Sequence, residues 1–179
     1  MTLKNSIKLP LLLLASFWII KLIEIGTGNN FGDYGIYPRT IEGLKGILFS
    51  PFLHGSFLHL ISNTFPFFIL GTTLIFFYPK IYVKVFIAIF LLTGFGVWLI
   101  ARPAFHIGAS GVIYGFAGFL IFSGIFKREF KSILISIAIV IFYGGLVWGI
   151  FPVILGISWE SHLVGALVGV LCAYIFRKE

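Results

Sequence analysis

The sequence is poor in charged residues, and above all in acidic residues and cysteine. Of its 179 residues 11% are charged, six are acidic and one, Cys172, is a cysteine, whereas 59% are hydrophobic. A soluble domain is typically about a quarter charged, and its core could not hide this much apolar surface from water. A lone thiol excludes an intramolecular disulfide framework, and the hydrophobicity excludes disorder. We therefore expect a protein embedded in a lipid bilayer.

Uninterrupted apolar runs, such as residues 86–92, lack the alternation of polar and apolar residues that is typical of barrel strands. One helical crossing takes roughly 20 apolar residues. We predict an all-α polytopic membrane protein, a single domain over residues 1–179 with a bundle of six transmembrane helices. The predicted spans are residues 7–25, 56–78, 81–100, 110–126, 133–151 and 162–176, and residues 26–55 form a long loop outside the membrane.

The basic residues lie in short clusters between the apolar runs, which favours an explanation by membrane topology over nucleic-acid binding. With both termini in the cytoplasm, nine basic residues fall inside and four outside. The inside set is Lys4, Lys8, Lys80, Lys84, Lys127, Arg128, Lys131, Arg177 and Lys178, and the outside set is Lys21, Arg39, Lys45 and Arg102. We expect a multi-pass protein of the cytoplasmic membrane whose first helix is retained, since no A-x-A-like cleavage site follows it.

All four histidines, His54, His59, His106 and His162, fall at or near the outer ends of predicted helices, as does Ser110. Polar groups in membrane segments are costly and are functional candidates by default. Their convergence on one side of the membrane predicts a single site that faces the extracytoplasmic side.

None of the six acidic residues lies convincingly within a span, so paired aspartates are excluded, and no H-E-x-x-H motif is present. A zinc site made only of His54, His59 and His162 stays open, but it lacks the usual supporting carboxylate. We expect neither a metal nor a cofactor. For serine chemistry, the absence of a buried acid favours a Ser–His dyad over a triad.

Ser110 lies in Gly108-Ala109-Ser110-Gly111, where a loop becomes a helix. A helix N-terminus presents free N–H groups to an oxyanion, although the same pattern also suits an ordinary N-cap. Serine needs an adjacent base, and His162 is the candidate. Small residues at 111, 115 and 118 match those at 165, 166 and 169, so that packing of the two stripes would bring His162 beside Ser110. Ordinary small-residue packing is the alternative.

His59 and Asn63 are four residues apart and share one helical face. Both can donate hydrogen bonds to an oxyanion, or they can simply bond other helices.

Taken together, these motifs resemble those of the rhomboid intramembrane serine proteases of the minimal six-span bacterial type. The match comprises H-x4-H-x3-N at His54, His59 and Asn63, G-x-S-G from Gly108 to Gly111, and the late His162 followed by spaced glycines. Residues 45–47 stand where many members carry Trp-Arg, so the resemblance does not predict how the first loop is anchored.

The resemblance implies that Ser110 is the nucleophile and His162 the general base. It implies an oxyanion hole made of His59, Asn63 and the Ser110 backbone N–H, with supporting roles for His54, Tyr114, Gly108 and Gly111. The fifth helix and residues 152–159 would form a gate for transmembrane protein substrates. The alternative is a catalytically inactive rhomboid-like protein that binds transmembrane clients. A transporter or channel is disfavoured because charges within the spans are scarce.

Overall fold

The computed structural model describes residues 1–152 and 156–179, which form a bundle of helices. The α-helices are α1 (Leu3–Ser6), α2 (Lys8–Thr27), α3 (Gly46–Phe49), α4 (Phe57–Phe77), α5 (Tyr82–Ile100), α6 (Ser110–Lys127), α7 (Phe130–Tyr143) and α8 (Trp159–Ile175). Short 3-10 helices cover Phe31–Tyr34, Glu42–Lys45 and Ser50–Phe52 in the first loop, and Gly144–Ile150 after α7. Within the described part of the chain, strand-like pairing is limited to one isolated bridge between Ile36 and His106.

Five helical stretches are long and apolar enough to cross a bilayer: Leu3–Thr27, Phe57–Phe77, Tyr82–Ile100, Ser110–Lys127 and Phe130–Ile150. The last helix, α8, is a shorter apolar helix of 17 residues. Large apolar side chains on the outside of the bundle, such as Leu12 and Phe142, are exposed and suit contact with lipid tails. The predicted all-α, polytopic membrane fold is confirmed.

The helices of the last and the fifth span differ most from their predicted extents. The last helix begins at Trp159 rather than at 162, because its polar first turn contains Glu160, which is favourable beside a helix N-terminus but interrupts the apolar run. The fifth span begins at Phe130 and is α-helical only to Tyr143, after which the chain continues as a 3-10 helix. Glycines 144 and 145, which are weak helix formers, stand at this change.

Helix α6 is the centre of the bundle, and twelve of its 18 residues are buried. Its glycines lie against those of α8, as the two small-residue stripes predicted. A Cβ atom added at Gly165 would overlap the Gly111 carbonyl oxygen, and one added at Gly169 would overlap that of Gly115. The backbones of α6 and α8 are therefore in direct contact, and this contact brings the starts of the two helices together.

The first loop is anchored on the outer end of α5. The Arg39 guanidinium donates to the carbonyl oxygens of Leu99 (3.3 Å) and Ala101 (2.8 Å). The Trp98 indole N–H donates to the Thr40 carbonyl oxygen at 2.8 Å. The Arg39 bonds satisfy carbonyl groups at the end of α5. Together with the Trp98 bond they supply the anchor for which the sequence carried no motif.

Candidate active site

Ser110 and His162 are in contact where α6 and α8 begin. Ser110 is the first residue of α6, and His162 lies in the first turn of α8. The Ser110 Oγ atom is 2.8 Å from His162 Nε2, which is hydrogen-bond distance. A hydroxyl and an imidazole in this arrangement are able to act as a nucleophile and its base.

The other ring nitrogen of His162 determines which way that hydrogen bond points. His162 Nδ1 is 2.8 Å from the Gly149 carbonyl oxygen. A carbonyl oxygen can only accept, so in the neutral ring Nδ1 carries the proton and Nε2 is left free to accept from the Ser110 hydroxyl. This tautomer is the one that a general base needs, and a backbone carbonyl orients it where a triad would use a carboxylate.

The Tyr114 ring stacks on the imidazole ring of His162. The two rings are stacked, with centroids 4.1 Å apart and an interplanar angle of 5°. A Cβ atom at Gly149 would overlap the Tyr114 hydroxyl and approach His162 Nδ1 to 3.0 Å. Glycine at 149 therefore allows the 3-10 segment after α7 to approach the imidazole closely enough to bond it.

Both side chains open into a cavity of about 790 Å³. Its polar lining comes from α4, from the loop before α6 and from the segment that leads into α8, and includes His59, Ser62, Asn63, Arg102, His106 and Ser158. Leu58, Phe105, Ile113 and Leu146 contribute apolar walls. A carbonyl carbon in this cavity could reach Ser110 together with several hydrogen-bond donors.

His59 and Asn63 face Gly108, two residues before Ser110. A Cβ atom at Gly108 would lie 2.6 Å from His59 Nε2 and 3.8 Å from Asn63 Nδ2. A side chain at 108 is therefore disfavoured by this close approach, and also by the backbone conformation, which has φ +109°. Asn63 Nδ2 uses one hydrogen to bond the His59 carbonyl oxygen at 3.0 Å and keeps a second for a ligand. The first N–H groups of α6 have no partner inside the helix. His59 and Asn63 thus lie beside Gly108, two residues before Ser110, whose backbone N–H is the third predicted donor.

His54 lies behind His59 rather than in the cavity lining. Its ring centroid is 5.0 Å from that of His59 and 5.6 Å from that of Phe17, and neither ring nitrogen has a hydrogen-bond partner among the described residues. Burial, with a smaller contribution from neighbouring His59, lowers the pKa of His54 to about 3. His54 is therefore a neutral packing partner of His59.

The remaining sequence expectations concern Gly111, the gate and a metal. Gly111 packs against Thr93 and the Ser161 carbonyl oxygen. Of the expected gate, residues 153–155 lie outside the described part of the chain. Among the described residues, no three His, Cys, Asp or Glu side chains are grouped closely enough to hold a metal ion.

Sequence reasoning missed two groups of functional candidates. No sequence signal could have identified the Gly149 carbonyl, since every residue carries a backbone carbonyl. The second group, Arg102, Ser158 and Glu160, lies in polar segments without periodicity. Only the position of His106 was indicated, because it lies four residues before Ser110.

Comparisons with known proteins cover most of the chain. The family model described as the Rhomboid domain matches residues 42–179. An uncharacterized protein of Mycobacterium tuberculosis (strain ATCC 25618 / H37Rv) is 36% identical over 170 residues, which cover 90% of this chain and 71% of the relative. An uncharacterized protein of Mycobacterium leprae (strain TN) is 33% identical over 171 residues, covering 90% of this chain and 68% of the relative.

Proposed function

The chain belongs to the rhomboid family, and on that premise we propose that it is an intramembrane serine endopeptidase with a Ser110–His162 dyad. Its substrates are transmembrane segments of single-pass membrane proteins, cut near their extracytoplasmic ends. The observation that carries the proposal is the 2.8 Å contact between Ser110 Oγ and His162 Nε2 in a cavity that also presents oxyanion donors.

The first step is acylation of Ser110. The Ser110 hydroxyl attacks the scissile carbonyl carbon while its proton moves to His162 Nε2. The resulting imidazolium still donates from Nδ1 to the Gly149 carbonyl oxygen, and Tyr114 keeps the ring in place. General-base assistance of this kind contributes roughly 10²–10⁴-fold to the rate.

The negative charge that develops on the substrate oxygen meets the Ser110 backbone N–H, the free Asn63 amide hydrogen and the His59 ring. Preorganised donors of this type stabilise the tetrahedral intermediate more than the substrate. Collapse of that intermediate breaks the C–N bond, and His162 returns its proton to the leaving amine. Water then attacks the acyl-enzyme with His162 again acting as base, which releases the acid product and restores Ser110.

We propose that a transmembrane substrate reaches this site from the lipid-facing side, between α4 and α7. An apolar groove of about 900 Å³ runs between α4 and α7, with Ile69 and Phe77 on one wall and Leu134 and Phe142 on the other. A helical segment in lipid keeps its carbonyl groups hydrogen-bonded, so the substrate must unwind at its outer end before Ser110 can attack. Helix-breaking residues near the cleavage site favour that unwinding.

The charge distribution supports a topology with both termini in the cytoplasm and the site at the extracytoplasmic face of the cytoplasmic membrane. Nine basic residues would then lie inside and four outside, in agreement with the positive-inside rule.

The test is reaction of the detergent-purified protein with a fluorophosphonate probe, together with cleavage of a model transmembrane substrate in vesicles. We expect Ser110→Ala to abolish labelling and cleavage, and His162→Ala to lower both roughly 10²–10⁴-fold. Ser62→Ala is the matched control, because Ser62 lines the same cavity but its hydroxyl bonds the His59 carbonyl oxygen at 2.9 Å. Labelling of Ser110→Ala at the wild-type level would refute the nucleophile. Folded wild-type protein that neither labels nor cuts would instead support the inactive, client-binding alternative.

A further inference from the structure

A polar network joins the loop before α6 to the segment that leads into α8. His106 Nδ1 is 2.6 Å from Ser158 Oγ, which is itself 2.6 Å from Ser161 Oγ. His106 Nε2 is 3.0 Å from the Arg102 carbonyl oxygen. The Arg102 guanidinium donates to the Ile157 carbonyl oxygen at 2.7 Å. Nothing in the proposed chemistry uses these groups.

The hydrogens in this network can be assigned from one end. The Arg102 carbonyl only accepts, so His106 Nε2 donates to it, and in a neutral ring Nδ1 must then accept from the Ser158 hydroxyl. The Ser158 oxygen in turn accepts from the Ser161 hydroxyl. Burial is the largest influence on His106 and lowers the pKa of the imidazole, although the bond to the Arg102 carbonyl and the charge of Glu160 oppose it. The lowered pKa favours the neutral ring that this chain of bonds requires.

A charge pair crosses the same junction. Glu160 Oε2 lies 3.2 Å from Arg102 Nη1, and the Glu160 side chain is 5% exposed while that of Arg102 is 42% exposed. The Arg102 backbone N–H also donates to Glu160 Oε1 at 3.4 Å. The buried carboxylate depends on the guanidinium for its charge balance, whereas the half-exposed guanidinium can be solvated without it.

The network reaches the dyad through the first turn of α8. Ser158 is the N-cap residue, but its side chain bonds His106 instead of capping the helix. Its carbonyl oxygen accepts the His162 backbone N–H at 3.3 Å. On the other side, the His106 backbone pairs with Ile36 of the first loop, at 2.9 and 3.0 Å. His106 thus links the first loop, the loop before Ser110 and the helix that carries His162.

We propose that Arg102, His106, Ser158 and Glu160 form a latch that holds the first turn of α8 against the loop before α6 and so keeps His162 within reach of Ser110. These are positioning residues, since none of them contacts the reacting atoms. Their kinetic consequence rests on the proposed proteolytic function, whereas the physical latch does not.

The physical latch is tested without catalysis, by thiol labelling in vesicles of a Ser110→Ala, Cys172→Ala protein that carries Ile157→Cys as its single thiol. Residue 157 is half-buried and its carbonyl accepts from Arg102, so opening of the latch exposes the thiol to a water-soluble maleimide. We expect Arg102→Gln to speed labelling about tenfold and Glu160→Gln to speed it less than threefold. Lys84→Gln, which removes the exposed Lys84–Glu179 pair, is the control and leaves the rate unchanged.

The double variant Arg102→Gln, Glu160→Gln gives the most decisive result. Because Arg102→Gln leaves a buried carboxylate without its partner, adding Glu160→Gln should bring the labelling rate back towards that of Glu160→Gln alone. Multiplication of the two single effects, or an Arg102→Gln rate within twofold of the parent, would overturn the latch. Should Arg102→Gln fail to fold, Ser158→Ala replaces it, and a labelling rate within twofold of the parent then overturns the latch equally.

The positioning role is tested by substrate cleavage. We expect Ser158→Ala to lower kcat about tenfold with KM within twofold, since the imidazole is misplaced while the cavity lining loses a single hydroxyl. Ser158→Thr, which retains the hydroxyl, should restore kcat to within about threefold of wild type. Unchanged kcat in Ser158→Ala would refute the role of the latch in catalysis. If the wild-type protein cuts nothing while the labelling results hold, the proposed function fails and the latch stands.

Discussion

Gly165→Ala should separate Ser110 from His162 without touching either side chain. The new methyl group would overlap the Gly111 carbonyl oxygen, which is backbone and cannot rotate away. To restore van der Waals contact, α6 and α8 must move apart by roughly 1 Å. Gly165 lies one turn beyond His162 on the same face, so this movement acts directly on the pair.

The size of the effect follows from the geometry. A 2.8 Å contact between Oγ and Nε2 that lengthens by roughly 1 Å is no longer a hydrogen bond. Misplacement by about that distance costs about 10²-fold in rate, or ~2.7 kcal/mol in the barrier. Folding suffers less, because the overpacking cost of ~1–3 kcal/mol is partly offset by up to ~1 kcal/mol from replacing glycine by alanine in a helix.

The assay compares fluorophosphonate labelling rates with thermal unfolding in the same detergent. Gly71→Ala in α4 is the matched control, because its methyl group would meet Phe116 and Pro10 at 3.5 Å, an ordinary contact. We expect both variants to remain folded and only Gly165→Ala to lose about 10²-fold in labelling. A Gly165→Ala protein that labels at the wild-type rate would refute the reasoning that backbone contact between α6 and α8 maintains the dyad.

Two further substitutions test other parts of the site. Gly149→Ala should lower kcat at least about tenfold because its methyl group displaces Tyr114 or the carbonyl that orients His162, whereas Gly145→Ala, with nothing within 4 Å, should leave kcat unchanged in the same cleavage assay. The pKa of His54 is about 3 in the folded chain, against 6.5 in the unfolded chain. Below pH 6.5 the unfolded chain therefore takes up a proton at His54 that the folded chain does not, and stability present above pH 6.5 is lost as the pH falls. Between pH 7.5 and pH 5 the protonation of His54 accounts for a loss of about 2 kcal/mol in the free energy of unfolding. The unfolding temperature of His54→Leu should therefore fall less over this pH range than that of the wild-type protein, and an equal fall in the two proteins would count against the assignment.

The sequence predicted the helices and their central contact because both depend on periodic signals. Apolar runs mark the spans, and glycines 111 and 115 recur at the spacing that brings α6 against α8. The start of α8 was misplaced by three residues, since Trp159, Glu160 and Ser161 belong to the helix without continuing its apolar run.

The unpredicted features depend on backbone groups or on contacts distant in sequence. The Gly149 carbonyl and the free N–H groups of α6 are backbone groups. Every residue has a backbone carbonyl and every residue except proline has an N–H, so no letter of the sequence marks them. Arg102 and Glu160 are 58 residues apart and meet only because α6 and α8 pack together. The Arg39 anchor similarly exists only once the outer end of α5 is in place.

The acceptor that orients His162 is electrically neutral, and this suits the apolar surroundings of a helical membrane bundle. Transfer of an ion from water into an apolar medium is costly, and a carboxylate beneath the imidazole would have required a counter-ion in the same place. The amide dipole of Gly149 selects the same ring tautomer with no formal charge to dehydrate. The carboxylate of this region, Glu160, is instead paired with the half-exposed guanidinium of Arg102. The proposed acid–base chemistry thus starts from a serine and an imidazole that carry no formal charge.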